Sequence, residues 1–347
     1  MRPHRGDARR STRPGPRRAR SRRTRVARGG AAVRVVLSRL GPLLGLGVVW
    51  GLFAAAIGGK FSSWENQRLM LLQTSIVATA AIGATFVIVA GAIDLSVGSA
   101  IALGTVVIAL LLGTGMSPLL AAALGIACLG SIGALIGRLV TGRIRLSPFI
   151  VTLAMWGALR GAAKGLGDNG PVYVDGKPWL MDLMQNSGAG RFLGAAPGVW
   201  LTIALAVLAA FVLRATRFGR HVFAVGSNEE TARLCGVPVA RTKLTVFLVA
   251  GVCAGLAAVL QLAYLGMGDP TTAEGHELRV IAAVVIGGAS LTGGEGSILG
   301  TLVGALLMTV VDNGCTKLGL ANWVQEIVTG AIILVAVVLD RLRLRRS

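Results

Sequence analysis

The sequence predicts an all-α polytopic membrane protein with about ten membrane-crossing helices. Three observations predict it. Of the 347 residues, 54% are hydrophobic and only 14% are charged, whereas a soluble domain carries about a quarter charged residues. Mean hydropathy is +0.71. Apolar runs recur along the chain at lengths near the ~20 residues that a helix needs to cross a bilayer. The 49 glycines add small side chains that let membrane helices approach closely.

Residues 1–34 carry thirteen Arg and one acid among Pro, Ser and Gly, with no periodicity. That composition predicts a disordered, Arg-rich cytoplasmic tail, with a charge suited to anionic headgroups. No aromatic residue interleaves these arginines, so the net charge of +20 does not read as nucleic-acid binding. The transmembrane domain is expected over 35–340. Its first helix covers 36–57; the basic region before it is too long, and the apolar stretch too extended, for a signal peptide. Gly58–Gln67 is a polar interruption. The second helix covers 68–90 and is broken by Gly91-Ala92-Ile93-Asp94-Leu95-Ser96. The third, 97–113, stops at Gly115-Met116-Ser117-Pro118. The fourth, 119–138, leads into a short basic loop with Arg138, Arg143 and Arg145, and the fifth covers 148–166.

The longest polar insert, Gly167–Gly198, comes next. The sixth helix covers 199–213, the basic loop 214–243 follows, and the seventh covers 244–266. A polar segment, 267–278, precedes a short eighth helix, 279–291. Gly293-Gly294-Glu295-Gly296 interrupts before a ninth helix, 297–312, and a tenth, 321–339. Residues 341–347 form a basic cytoplasmic tail. An even number of crossings places both termini on one side. The loops 138–147 and 214–243 and both tails are Arg-rich, while 167–198 and 267–278 lean acidic. The positive-inside rule therefore puts both termini and the 214–243 loop in the cytoplasm.

Within that loop, Ser227-Asn228-Glu229-Glu230-Thr231-Ala232-Arg233-Leu234-Cys235-Gly236-Val237-Pro238 spells a small helix. Ser227 reads as its N-cap, with Glu230 at capping-box spacing. Glu229 and Arg233 stand at i,i+4 in the favoured order. Gly236 falls where a C′ glycine belongs, and Pro238 blocks continuation. About eight helical residues rise only ~12 Å, too few to cross a bilayer or to hold together alone. The helix must dock, either on its own chain's loops or on a separate protein.

The short eighth segment and the break at 91–99 suggest discontinuous or re-entrant helices. Irregular backbone at membrane depth is tolerated where it is buried in protein or lines an aqueous path, which points to translocation. Gly91-Ala92-Ile93-Asp94-Leu95-Ser96-Val97-Gly98-Ser99 and Gly287-Gly288-Ala289-Ser290-Leu291-Thr292-Gly293-Gly294-Glu295-Gly296-Ser297 look alike. They do not fall at matching positions of two inverted halves, so no repeat is inferred.

No phosphate-cradling G-x-x-x-x-G-K-[ST] occurs. His4, His221 and His276 are far apart, and Cys128, Cys235, Cys253 and Cys315 have no metal spacing. No catalytic or metal-binding residues are assigned. Arg160, Lys164 and Glu326 are charges within apolar runs; the expectation is that Arg160 and Lys164 snorkel outward or that Arg160 pairs with Glu326. Asp94 fits either an ion-coupled carrier's acid or a cap at a helix break. The residues thus describe a pore-forming chain with no energy source of its own and a docking helix. An ion-coupled secondary carrier for a small polar solute and a non-transporting scaffold remain the alternatives.

The string Gly91–Ser99 resembles the signature of sugar-type permeases of ATP-binding cassette importers, the ribose-permease family. Pro148-Phe149-Ile150-Val151-Thr152-Leu153 with Arg160-Gly161 is similar to its fifth-helix region. Gly219-Arg220 through Gly226, with Asn228-Glu229, Ala232 and Gly236, resembles its coupling loop. Ile286-Gly287-Gly288 through Ser297 resembles its glycine-rich joint. The likeness covers about residue 70 to the end, and the four strings occur in the family's order. Ala92, where the family often has Gly, and the Arg-rich arm are departures. The resemblance implies a type II importer-like permease in a bacterial inner membrane. Two permease copies would work with two cytoplasmic ATPase subunits and an extracellular sugar-binding protein. ATP and Mg would be used by the ATPase and not by this chain. It also implies that Ser227, Asn228, Glu229, Glu230, Ala232, Arg233, Leu234 and Gly236 couple to the ATPase. Asp94, Ser96, Gly98, Ser99, Gly287, Gly288, Gly293 and Gly294 would shape the translocation path and its helix breaks.

Overall fold

Proline and glycine punctuate the helices. In a computed structural model that describes residues 41–142, 146–176, 178–185 and 194–344, Pro118, Pro148 and Pro197 each occupy a helix's first turn. There the missing N–H costs nothing and the fixed φ is already helical. The helices in order are α1 Gly41–Ile57, α2 Gly59–Ser62, α3 Trp64–Val89, α4 Val97–Gly113, α5 Pro118–Thr141, α6 Pro148–Leu166, α7 Pro197–Ala215, α8 Arg217–Ser227, α9 Glu229–Leu234, α10 Val239–Leu265, α11 His276–Ile286, α12 Ile298–Lys317 and α13 Asn322–Leu344. Among them α3, α5, α7, α10 and α12 are long and apolar enough to cross a membrane. Gly41–Ile57, Val97–Gly113 and Asn322–Val338 are shorter apolar helices.

Residues Pro42–Ser347 form one unit, centred on α3 and α10. Helix α10 packs along α5, α3 and α4, and α3 also carries α12, α11 and α7. Helix α3 is buried without a break from Thr74 to Val89, as expected of a helix that is apolar all round and surrounded by others. Helices α5 and α10 touch backbone to backbone where Gly133 faces Gly251: a Cβ on either would lie 3.1 Å from the other's Cα. Without a hydrophobic force between helices in lipid, close packing and interhelical hydrogen bonds hold them together. Such bonds join Thr79 to Thr202 at 2.9 Å, Thr85 to Thr301 at 2.8 Å, and the side-chain amides of Asn66 and Asn313 reciprocally at 2.9 and 3.1 Å.

Several expectations are corrected. The long polar insert is not all loop: β1 (Val172–Tyr173) pairs antiparallel with β2 (Met267–Gly268), Val172 opposite Gly268 and Tyr173 opposite Met267. The same insert holds a 3₁₀ helix over Trp179–Met184, with Leu180, Met181 and Met184 buried. The interruption before the second expected helix contains α2 and the first turn of α3, whose N-cap Ser63 accepts from the Asn66 N–H. Helix α10 starts at Val239, not 244, and α12 reaches Lys317, not 312. The eighth expected helix lies earlier, at His276–Ile286, so Gly287 already belongs to the joint. Helix α13 continues through Leu344 into the expected C-terminal tail. The Arg-rich tail 1–34, residues 36–40 of the first expected helix, Arg143, Arg145 and residues 345–347 lie outside the described residues.

Arg160 does not pair with Glu326. Its Nη1 donates to the carbonyls of Pro270 at 2.8 Å and Thr272 at 2.7 Å, while Glu326 is exposed. The polar segment before α11 is tucked against α4 and α6, so a cation on α6 finds carbonyls nearer than a carboxylate on α13. Lys164 is exposed, in keeping with an outward-reaching side chain.

Candidate functional site

Among the described residues, four helix ends close with the same backbone motif; the end of α12 does so at Gly319, the other three bear on the site, and two of those meet. After α3, Gly91 N–H donates to the Ile88 carbonyl at 2.9 Å and Ala92 N–H to the Val87 carbonyl at 3.0 Å. After α11, Gly288 donates to Val285 at 2.9 Å and Ala289 to Val284 at 3.1 Å. After α9, Gly236 donates to Arg233 and Val237 to Ala232, both at 3.0 Å. Each is a Schellman closure with a glycine at C′, at φ of 78°, 93° and 81° respectively. The likeness of the two glycine-rich strings is therefore a likeness of local fold, a helix stop followed by a short extended joint.

Beyond Gly91, the chain turns into α4. Asp94 Oδ1 accepts from the Ser96 N–H at 2.8 Å and from Ser96 Oγ at 2.6 Å, so the Asp94 carboxylate is engaged in a local turn. Thr152 Oγ1 on α6 donates to the Ile93 carbonyl at 3.1 Å and ties the joint to a third helix. In the second joint, Ser290 N–H bonds to the Glu295 carbonyl at 3.2 Å and Gly293 N–H to the Ser290 carbonyl at 3.0 Å. Ser297 then caps α12. Gly287 sits against Gly300, where a Cβ would run into the α12 backbone.

The basic loop 214–243 reaches both joints. It contains two helices where one was expected. Thr216 caps α8 by accepting from the Gly219 N–H at 3.2 Å, and α8 buries Gly219, Val222 and Val225, one face at helical spacing. Phe218 stacks on Phe86 of α3 with centroids 6.1 Å apart. At the end of α8, Gly226 lies flush on the Val89 carbonyl, and a Cβ there would come within 2.7 Å of the Gly294 nitrogen. Gly294 itself donates its N–H to the Val89 carbonyl at 2.9 Å. A Cβ on Gly293 would lie 2.7 Å from the Gly226 carbonyl oxygen and 2.8 Å from the Gly91 Cα. The end of α3, the end of α8 and the second joint thus share one all-backbone contact.

Helix α9 follows at once. Its N-cap is Asn228, whose side chain accepts from the Thr231 N–H at 2.8 Å. Ser227 is instead the last residue of α8, so the expected Ser227–Glu230 capping box does not form: two helices abut and leave one residue between them. The expected Glu229–Arg233 pair is present at 2.8 Å, and Glu229 also accepts from Lys243 Nζ of α10 at 2.6 Å. Ala232 packs with Val225 and Val239, while Glu230, Arg233 and Leu234 face outward, Leu234 being 85% exposed.

Of the residues named from sequence, Gly293 and Gly294 are brought against Gly226 and Ser227. Gly98 and Ser99 are not; they lie in the first turn of α4, where a Cβ on Gly98 would overlap the Glu277 carboxylate and the Ala273 carbonyl. Sequence reading missed Glu277, Arg279 and Asp312. Glu277 was assigned to an outer polar segment but is buried, and Arg279 forms an ion pair with Asp312 at 3.0 Å between α11 and α12. The available signal was the acid–base pair at the head of a short apolar helix.

A buried helical bundle with two interrupted helices beside an exposed loop helix defines a polytopic membrane permease. The chain belongs to the family described as branched-chain amino acid transport system / permease component, which matches residues 66–337. It is 38% identical over 292 residues to the ribose import permease protein of Escherichia coli K12, covering 82% of this chain and 88% of that one. The ribose import permease protein of Bacillus subtilis 168 is 37% identical over 312 residues, 88% and 94% of the two chains. The L-arabinose ABC transporter permease protein of Azospirillum brasilense is 37% identical over 317 residues, 91% of each. No solved structure matches the chain significantly.

Proposed function

We propose that the chain is the permease subunit of an ATP-binding cassette importer that moves a simple sugar across the bacterial inner membrane. Relatives named for ribose and arabinose import support the sugar class over the amino acids of the family's description. In this reading two permease copies work with cytoplasmic ATPase subunits, which bind ATP and Mg, and with an extracellular binding protein that delivers the sugar. The chain crosses the bilayer about ten times with both termini inside: α1, α3, α4, α5, α6, α7, α10, α12 and α13 span, and the half-length α11 makes the remaining crossing together with the extended joint that follows it.

The observation that carries the proposal is the continuity from α9 to the helix breaks. Leu234 stands out at 85% exposure on a helix pinned to α10 through Glu229 and Lys243. One residue separates that helix from α8, whose last turn rests on Val89 and Gly294. Close-packed contacts of this kind transmit displacement with little give. A push by an ATPase on α9 would therefore reach the α3–α4 and α11–α12 joints together. Residues 227–236 are the coupling element and Asp94–Ser99 and Gly287–Gly294 the moving breaks.

The test is co-expression of the permease with its ATPase and binding protein, measuring labelled sugar uptake and co-purification. Leu234→Glu is expected to abolish both while the permease still accumulates in the membrane. Retained ATPase co-purification and uptake in that variant would overturn the assignment of α9.

A further inference from the structure

An arginine and a glutamate lie close together inside the bundle without forming an ion pair. Glu277, in the first turn of α11, is buried. Its Oε1 accepts from Trp156 Nε1 of α6 at 3.3 Å, while its Oε2 has no partner among the described residues, although an ionised carboxylate offers about four acceptor sites. One turn along α6, Arg160 spends Nη1 on the Pro270 and Thr272 carbonyls and leaves a buried Nη2 unpartnered. The acids that bear on its charge are Glu277, Glu274 and Asp269, yet the ion pairs among the described residues are Glu229–Arg233, Glu229–Lys243 and Arg279–Asp312. His276, beside Glu277, also keeps a buried Nδ1 without a partner. The three unpartnered atoms lie beneath the surface, under a rim where Trp156 is 37% exposed and Glu274 is exposed.

Buried polar atoms are nearly always hydrogen-bonded, and ionisable groups at membrane depth are costly enough that they mark solute paths. The backbone explains the shape. Residues 269–275 are not helical, which at membrane depth is tolerated where the segment is buried in protein or lines a cavity. Glycine at 98 makes room for the Glu277 carboxylate. The groups gathered are an acceptor, two kinds of donor and an indole that turns its N–H edge to the carboxylate. A carboxylate takes hydroxyl protons, a guanidinium and an imidazole engage hydroxyl and ring oxygens, and an aromatic face packs the C–H surface of a ring. That set fits an uncharged polyol better than it fits an ion.

We infer that Trp156, Arg160, His276 and Glu277 form a monosaccharide-binding station inside the permease, which the sugar contacts after leaving the binding protein. The inference rests on the sugar-importer reading and adds that the permease itself contributes to which sugar passes.

The experiment uses the full chain in cells with its ATPase and binding protein, and labelled pentoses and hexoses that include D-ribose and L-arabinose. Glu277→Gln keeps the shape and weakens the acceptor; Trp156→Phe keeps a ring and removes the N–H that holds Glu277. Uptake is expected to fall about tenfold or more in Glu277→Gln, the effect of one hydrogen bond to a charged group. Binding-protein-stimulated ATP hydrolysis is expected to persist. In Trp156→Phe the ratio of uptake rates between sugars is expected to shift, a change that a merely structural tryptophan would not produce. Wild-type rates and ratios in both variants would overturn the station and leave the importer reading standing. Loss of ATP hydrolysis together with uptake in both would also overturn it, since the cluster would then be structural. Failure of the wild type to move any sugar would sink the importer reading and the station with it.

Discussion

Gly294 donates its backbone N–H to the carbonyl of Val89 across 205 positions of sequence, at 2.9 Å. The bond joins the joint after α11 to the last turn of α3, and Gly226 at the end of α8 lies over it. Neither partner uses a side chain. The contact depends on three stretches of chain being bare enough to touch.

Gly226→Ala tests that dependence. The added methyl would overlap the Val89 carbonyl, so α8 must lift or the Gly294 bond must open. Overpacking of this kind costs ~1–3 kcal/mol, and thermal unfolding in detergent should register it. Uptake is expected to fall further than stability does, because α9 would lose its rigid seat. Unchanged melting and transport would show that the three-way contact is incidental.

Asn228 and Ser227 give opposite expectations. Asn228→Ala removes the side-chain oxygen that holds the Thr231 N–H, at a cost of ~1 kcal/mol for a lost N-cap. Ser227→Ala removes no cap. Hydrogen exchange at the Thr231 amide should quicken in the first variant only; equal rates in both would mean that Asn228 is not the cap.

Glu229 holds two cations of unequal burial. The side chain of Lys243 is 14% exposed and that of Arg233 is 49% exposed. Exposed pairs contribute ~0–1 kcal/mol and fade with salt. Lys243→Met is therefore expected to loosen α9 more than Arg233→Met, measured as hydrogen exchange across 229–234 at low and high salt. The reverse order would argue that the link to α10 does not anchor the helix.

Asp312 and Arg279 form a half-buried pair, 21% and 30% exposed. Asp312→Ala strands a guanidinium between α11 and α12 and is expected to cost about 3 kcal/mol. Replacing both, as Arg279→Met with Asp312→Leu, should recover most of it, because the stranded charge goes with its partner. Thermal unfolding of the two variants decides the matter, and a double variant no better than the single one would locate the cost elsewhere.

Much of this protein is local and therefore legible. Apolar run length marked the existence of α3, α5, α7, α10 and α12, since the bilayer sets a length that composition must meet, though α10 and α12 each extend five residues further than expected at one end. Pro118 and Pro148 marked the starts of α5 and α6, and glycine marked the ends of α3 and α9, because each acts through the backbone of its own turn; Pro197, which opens α7, was passed over. The Glu229–Arg233 pair was readable for the same reason, one helical turn apart. The cap of α9 was misassigned by one residue because a second helix, α8, runs up to it, and Ser227 and Asn228 are both good capping residues in isolation.

What the sequence by itself determined is that the chain is a membrane bundle with interrupted helices and a short helix in its basic loop. Periodicity, charge placement and turn residues suffice for that, for they act over a few positions. Tertiary structure alone decided that Gly226 meets Val89 and Gly294, that Arg160 turns to the carbonyls of 270 and 272 and not to Glu326, and that Glu277 is buried beside Trp156. Those outcomes depend on which backbones can approach one another, and that is set by packing between segments far apart in the chain.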